Sequence, residues 1–312
     1  MQATRAIQKF TEIIKPGTNF DFIRFRFIAL VISWCLIAIG IGSFIFHGGP
    51  NWGIDFSGGV MVHLRFTKPQ PIDGIRAALT SVNLGESSIQ DFGSAGTEFL
   101  VRLPVDVSET KGISDTLTQA LADKFGKEAF EVLRVELVGP RVGRELRQRA
   151  LLAVVFSTLL MGAYIWLRFE FRFGVGAAIA LVHDVLIAAG ALSLVNYEID
   201  LTVVAALLTV VGFSVHDTVI VCDRIRENMR KNRRDAMATI INRSINETLS
   251  RTVLTTGTAI LVILALFFLG GNVIRGFAFT LLVGFIIGTY SSIYIASPIV
   301  LWMERSPARR SR

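Results

Sequence analysis

The sequence predicts a polytopic α-helical membrane protein with six spans and one α+β domain inserted between the first two. Three observations carry this. The 312-residue chain is 52% hydrophobic and only 18% charged. Its apolar residues gather in six blocks, each long enough to cross about 30 Å of hydrocarbon at about 1.5 Å per residue. Between the first two blocks lies a long polar stretch with strand and helix patterns of its own.

Residues 1–26 form a basic segment containing Arg5, Lys9, Lys15, Arg24 and Arg26. The first span is Phe27–Phe46. It has the basic flank of a signal sequence, yet it exceeds a typical signal core, and His47-Gly48-Gly49-Pro50 offers no Ala-x-Ala cleavage site. An uncleaved signal anchor is expected. Residues 47–149 make the inserted domain. Val60, Val62, Leu64 and Phe66 alternate as in a half-buried strand, and Pro71 to Val82 has helical spacing. Ser88–Phe92 and Phe99–Leu103 read as strands around a Gly93-Ser94-Ala95-Gly96 turn. Ser108–Phe125 reads as a helix opened by Ser108, and Phe130–Val138 as the closing strand. The order β-α-β-β-α-β is that of a ferredoxin-like domain.

The remaining spans are Ala150–Leu167, Phe173–Val195, Leu201–Cys222, Thr252–Gly271 and Phe277–Met303. Residues 223–251 carry Ala236, Ile240, Ile241, Ile245 and Leu249 at helical spacing among many basic residues, which predicts an amphipathic helix along the cytoplasmic interface. Gly284 and Gly288 in the last span have the small-xxx-small spacing of a close helix approach. Residues 304–312 are a short basic tail.

The net charge of +7 invites a nucleic-acid reading, but its distribution speaks for topology. The basic N-terminal segment, Arg168 and Arg172, the eight Lys/Arg from Arg224 to Arg251 and the C-terminal arginines all fall on one side of a six-span chain. The positive-inside rule puts both termini in the cytoplasm and the inserted domain outside, and these charges also suit contact with anionic lipid. Cys35 and Cys222 suit neither a disulfide nor a metal. His63 is alone on a strand, and the inserted domain contains no catalytic triad or metal-ligand cluster. The chain has no Gly-x-x-x-x-Gly-Lys-[Ser/Thr] phosphate loop. The expectation is therefore no enzyme, no cofactor and no bound metal.

Two acids stand inside apolar spans, where an ionisable group is costly and marks a functional pathway. Asp217 lies about five residues from the cytoplasmic end of its span, with Ser214, Thr218 and Val221 on its helical face. Asp184 lies near the middle of the third span. Its neighbour His183 is expected to project about 100° away. Desolvation against a nearby cation would let Asp217 bind and release a proton at accessible pH.

Five motifs occur in order: Asp55-Phe56-Ser57-Gly58-Gly59; Val138-Gly139-Pro140-Arg141-Val142-Gly143; His183-Asp184; Gly212 to Asn228; and Asn242 to Thr252. In these the chain resembles the SecD/SecF family, and within it the SecF branch, related to resistance-nodulation-division (RND) transporters. The resemblance implies half of an RND-like unit in the bacterial inner membrane, completed by SecD. It further implies YajC, the SecYEG channel, YidC and translocating preproteins as partners, and use of the proton-motive force late in protein export. It assigns proton coupling to Asp217 and Arg251, expected to act as a proton switch, against the plainer reading of a buried pair that holds two helices together; Asp184, placed by its depth alone, reads equally as a relay member or as a helix-packing hydrogen-bond partner. The family usually has Asn just before the fourth-span Asp, where this chain has His216, an imidazole that can itself titrate. Asp55 is expected to brace the turn that Gly58 and Gly59 permit. Two other readings compete: a non-energetic scaffold bridging SecYEG and YidC, and half of an RND-type small-molecule exporter.

Overall fold

The computed structural model describes residues 19–85, 87–91, 96–103, 112–271 and 273–304. The basic residues before position 19, the Gly93-Ser94-Ala95 part of the expected turn, the helix start at Ser108 and the tail beyond 304 lie outside these.

After a short 3-10 turn at Ile23–Phe25, α1 spans Arg26–Phe46 and a one-turn α2 spans Ile54–Ser57. The inserted domain follows as β1 (Gly59–Phe66), α3 (Ile72–Thr80), β2 (Ser88–Asp91), β3 (Glu98–Leu103), α4 (Ile113–Phe125) and β4 (Phe130–Val138). Its antiparallel sheet has the order β2-β3-β1-β4. The period-2 pattern of β1 does what it predicts: Val60, Val62, Leu64 and Phe66 are buried against Ile75 and Leu79 of α3 and Leu117 and Leu121 of α4. On the strand's other face, His63 and Arg65 both bond Glu98 across the sheet.

The long helices are α5 (Pro140–Arg168), α6 (Phe171–Leu194), α7 (Leu201–Lys231), α8 (Met237–Leu269) and α9 (Arg275–Ser291); the last continues through a π-helical turn, Ser292–Ala296, into α10 (Ser297–Glu304). Among the described residues, six helical segments are long and apolar enough to span a membrane. They form two layers. The apolar windows of α6, α7 and α9–α10 are 56% buried within the protein, whereas those of α1, α5 and α8 are 22%, 17% and 17% buried. Phe27, Val31 and Trp34 of α1 and Leu159 and Leu160 of α5 lie on the outside, as lipid-facing side chains should.

Residues 223–251 do not form a separate helix lying along an interface. Instead α7 runs on to Lys231, a short turn reverses the chain, and α8 runs unbroken from Met237. The apolar spacing there has a protein partner: Ile240, Ile241, Ile245 and Leu249 bury against Val221 and Ile225 of α7. Asn228 locks the hairpin by donating to Ser244 (3.0 Å) and Glu247 (2.6 Å), and Arg224 also bonds Glu247. Asn242 and Asn246, one turn apart on α8, clamp the backbone at Phe20 and Phe22 ahead of α1. Nearby, the buried Arg172 ion-pairs with Glu170 and Glu304 and so ties α6 to the end of α10.

Candidate functional site

Small residues set the geometry of the bundle. Along α1 and α6 three contacts repeat at one offset of 150 residues. Ser33 bonds His183 at 3.0 Å and Ser43 bonds Ser193 at 2.9 Å. Between them a Cβ on Gly40 would lie 2.8 Å from Gly190 Cα. The two helices therefore run parallel and in register, at a distance only glycine allows. On the other side of the inner layer, Gly284 and Gly288 of α9 pack onto Val210 and Ser214 of α7, so the predicted close approach is made there. This seats the next three residues of α9, Thr289, Tyr290 and Ser291, among the polar groups of the bundle.

Asp184 has no exposed surface. Its Oδ2 accepts hydrogen bonds from Ser214 of α7 (2.6 Å) and Ser291 of α9 (2.8 Å). Its Oδ1 lies 2.9 Å from Nδ1 of His183. The expected 100° divergence of these neighbours describes their Cβ directions, and the imidazole swings back to reach the carboxylate. From His183 Nε2 the network continues to Ser33, then to the Tyr290 hydroxyl at 3.1 Å, which donates to the Ala29 carbonyl at 2.6 Å.

Asp217 is equally buried but differently supplied. Its Oδ2 accepts from Thr289 of α9 (3.0 Å); the Thr256 hydroxyl of α8 lies 2.9 Å from that of Thr289 and 3.4 Å from Oδ2, and its one proton goes to one or the other. Its Oδ1 is buried with no hydrogen-bond partner, and so is the hydroxyl of Thr252, one turn along α8. Among the described residues no ion pair joins Asp217 to Arg251, which is exposed. His216 also turns to an exposed face of α7, which carries Ala205, Thr209 and Gly212. Asp217 and Arg251 are thus not brought together as an ion pair among the described residues of this chain. The helical rotation that buries Asp217 between α8 and α9 carries His216 outward.

The Asp55-Phe56-Ser57-Gly58-Gly59 motif joins the sheet to the bundle. Gly58 and Gly59 have φ of 75° and 119°, and a Cβ on Gly58 would sit 2.8 Å from Pro140 Cα at the start of α5. The second motif is thereby packed against the first. Asp55 does not brace this turn. Its Oδ2 accepts the backbone N–H of Leu201 (3.0 Å), while Asp200 accepts that of Val203 (2.8 Å), so two carboxylates cap α7. Across the same junction Gly53 N–H donates to the Ile199 carbonyl, and Ile199 N–H donates to that of Asn51. Elsewhere the sheet touches the bundle sparingly. A cavity of about 200 Å³, lined by Asp91, Tyr197, Asp200 and Arg275 among others, separates β2 and β3 from the helix ends. Beside it, Arg102 of β3 ion-pairs with Glu198. Burial pulls the Arg102 guanidinium down to about 10, against the opposing influence of Asp200, which leaves it charged at neutral pH.

Sequence reasoning found both acids and missed their company: Ser33, Thr256, Thr289, Tyr290 and Ser291. Hydroxyls are common enough in apolar helices to draw no notice singly. The available signal was the run of consecutive hydroxyls one residue past Gly288. Among the described residues no three His, Cys, Asp or Glu side chains are grouped to hold a metal.

Residues 117–306 match the family model "Protein export membrane protein SecD/SecF, C-terminal", and residues 43–70 match the SecD/SecF GG motif. The protein translocase subunit SecF of Desulfurispirillum indicum is 48% identical over 291 residues, covering 91% of this chain and 92% of its own length. That of Escherichia coli O157:H7 is 42% identical over 286 residues, covering 90% and 87%. Among solved structures, SecDF of Thermus thermophilus, described as a translocon-associated membrane protein, superposes with a TM-score of 0.83 at 38% identity. The match covers 97% of this chain but 42% of that one. SecDF in its super-membrane-facing form gives 0.67 at 39% identity, covering 96% and 41%. This chain thus spans less than half the length of the solved SecDF chains.

Proposed function

The chain belongs to the SecD/SecF family and is a subunit of the Sec protein translocase, and from that premise we propose that it couples ion movement through Asp217 to motion of its sheet domain, in an inner-membrane complex with SecD. The observation that carries this is the state of Asp217: a fully buried carboxyl with one oxygen unpartnered, held by two threonine hydroxyls and bonded to no Lys or Arg among the described residues. An ionised carboxylate so placed leaves a charge largely uncompensated, at a cost of several kcal/mol. A proton on Oδ1 removes that charge. The site therefore has two states of different electrostatic character, which a gradient can drive. One proton crossing 100 mV releases about 2.3 kcal/mol, enough to bias a conformational equilibrium about fiftyfold.

Motion has a path outward. Asp217 sits on α7, the far end of α7 is capped by Asp55, and four residues later Gly59 opens β1. A shift of α7 along its axis is thus passed to the sheet through one short segment. The two SecDF matches agree in identity and coverage yet differ in TM-score, 0.83 against 0.67, which supports parts that rearrange within one fold. A partner half has its own support. His216, Thr209 and Gly212 on α7 and Arg251 on α8 make poor lipid-facing groups, and SecD would cover them, bringing Arg251 into play from across an interface. The charge distribution supports termini in the cytoplasm and the sheet domain in the periplasm. SecYEG, YidC and YajC remain the expected neighbours, with preproteins as the cargo. The matches to translocase subunits favour neither a passive scaffold nor a small-molecule exporter.

The test is secretion into vesicles holding SecYEG, SecD and this chain. Asp217→Asn should assemble normally and lose the stimulation that a proton gradient gives. Full retention of that stimulation overturns the proposal. A stimulation supported equally by a sodium gradient alone would replace the proton as the coupling ion.

A further inference from the structure

We propose that His183 and Asp184 form a second proton-binding site, and that its occupancy decides whether Ser33 of α1 is tied to the inner helices. Four consecutive contacts link Asp184 to α1: Asp184 Oδ1 to His183 Nδ1 (2.9 Å), His183 Nε2 to Ser33 (3.0 Å), Ser33 to Tyr290 (3.1 Å), and Tyr290 to the Ala29 carbonyl (2.6 Å). Each needs one proton. The Ala29 carbonyl can only accept, so the Tyr290 proton goes there. Ser33 must then donate to Tyr290, which leaves His183 Nε2 to donate to Ser33. The last contact needs a proton of its own, on Nδ1 or on Oδ1.

With a neutral imidazole and an ionised Asp184, the Tyr290, Ser33 and His183 side chains supply three protons for four contacts. The geometry is complete only when the pair holds one more, as imidazolium with carboxylate or imidazole with carboxylic acid. The other oxygen of Asp184 is indifferent to this, since Ser214 and Ser291 donate to it in either state. Loss of the extra proton leaves two acceptors facing each other somewhere along the chain of contacts. An ionised Asp184 holds the one imidazole proton on Nδ1, so the deficit falls on the links from Ser33 of α1 to α6 and α9.

The groups packed around the pair are Ser33 on α1, Ser214 on α7, and Tyr290 and Ser291 on α9, with Tyr290 stacked on His183 and Tyr294 tilted against Tyr290. No Lys, Arg or Glu is bonded to it among the described residues, so imidazole and carboxyl must settle the charge between them. Immediately past Ser291 the helix enters its π-helical turn, in which Ser297 donates to the Ser292 carbonyl (2.9 Å). Such turns recur where a helix must deform at a functional site.

The experiment uses the complex with SecD in lipid, all variants carrying Asp217→Asn so that the outcome is independent of the reading of Asp217. Nitrogen-15 solid-state NMR of labelled histidine, assigned by the spectrum lost in His183→Gln, is followed with the infrared carboxyl band from about pH 5 to 9, the interval in which an imidazole titrates. A pH-dependent change of the His183 nitrogens or of a carboxyl band that Asp184→Asn abolishes is expected. Tyr290→Phe is the variant that separates a proton site from mere packing. Without the phenol, Ser33 is free to donate to His183, the extra proton is no longer needed, and the midpoint should fall by about one pH unit, a tenfold weaker hold on the proton. No pH dependence in either signal, or a midpoint unmoved by Tyr290→Phe, overturns the proposal.

Discussion

Asp184 and Asp217 are both fully buried in the helix bundle, their α9 donors only two residues apart, and they are furnished oppositely. Asp184 has a partner for each oxygen, drawn from α6, α7 and α9. Asp217 has donors on one oxygen only and an orphan on the other. A saturated carboxyl holds helices in one arrangement, because moving any of them breaks a bond. A half-supplied carboxyl is comfortable in that arrangement only for one of its charge states. The contrast teaches that the donors around a buried acid decide whether a proton is shared with a neighbour, as at Asp184, or must be carried alone, as at Asp217.

Apolar replacement should break the pair most visibly. Asp184→Leu strands His183 and Ser214 without their acceptor, leaves Ser291 only the Gly288 carbonyl, and should cost about 3–5 kcal/mol in unfolding titrations of the purified complex. Asp217→Leu removes a group that is already under-bonded and should cost less than half as much; equal losses would erase the distinction. Next in size, Gly288→Val places its Cβ 3.1 Å from that of Ser214. It should cost about 1–3 kcal/mol and, by lifting α9 from α7, should weaken both sites together. An effect on one site alone would mean that Thr289 and Ser291 move separately. The smallest effect is the most discriminating. Ser214→Ala removes a donor to a charge-bearing pair and should cost about 2 kcal/mol, whereas Thr289→Val at a protonated Asp217 should cost about 1 kcal/mol. A reversed order would mean that Asp217 rests ionised in this conformation.

The sheet domain could be read from the chain because its information is local: β1 alternates with period 2, and only one face of a small sheet can be buried. The spans were legible for a similar reason, since length and apolarity are themselves the requirement. What could not be read was which face of each span meets protein. In lipid an outward and an inward face are equally apolar, so the bundle is specified by glycines and hydroxyls, residues that hydropathy weighs lightly. Asp55 shows the same limit. Its place beside Gly58 and Gly59 points to a local turn, while its bond lies 146 residues away on Leu201. The Ile240–Leu249 pattern was seen correctly as one apolar face. Only the structure tells that α7, and not lipid, covers it.

The parallel pairing of α1 with α6 has a consequence for how the protein is made. Gly40 and Gly190 meet face to face, yet at about 5–20 residues per second the ribosome delivers the second about 8–30 s after the first. For that interval α1 stands with its glycine notch and two serines unmatched, while the sheet domain and α5 are made. The arrival of α6 is therefore the event that buries the notched face of α1.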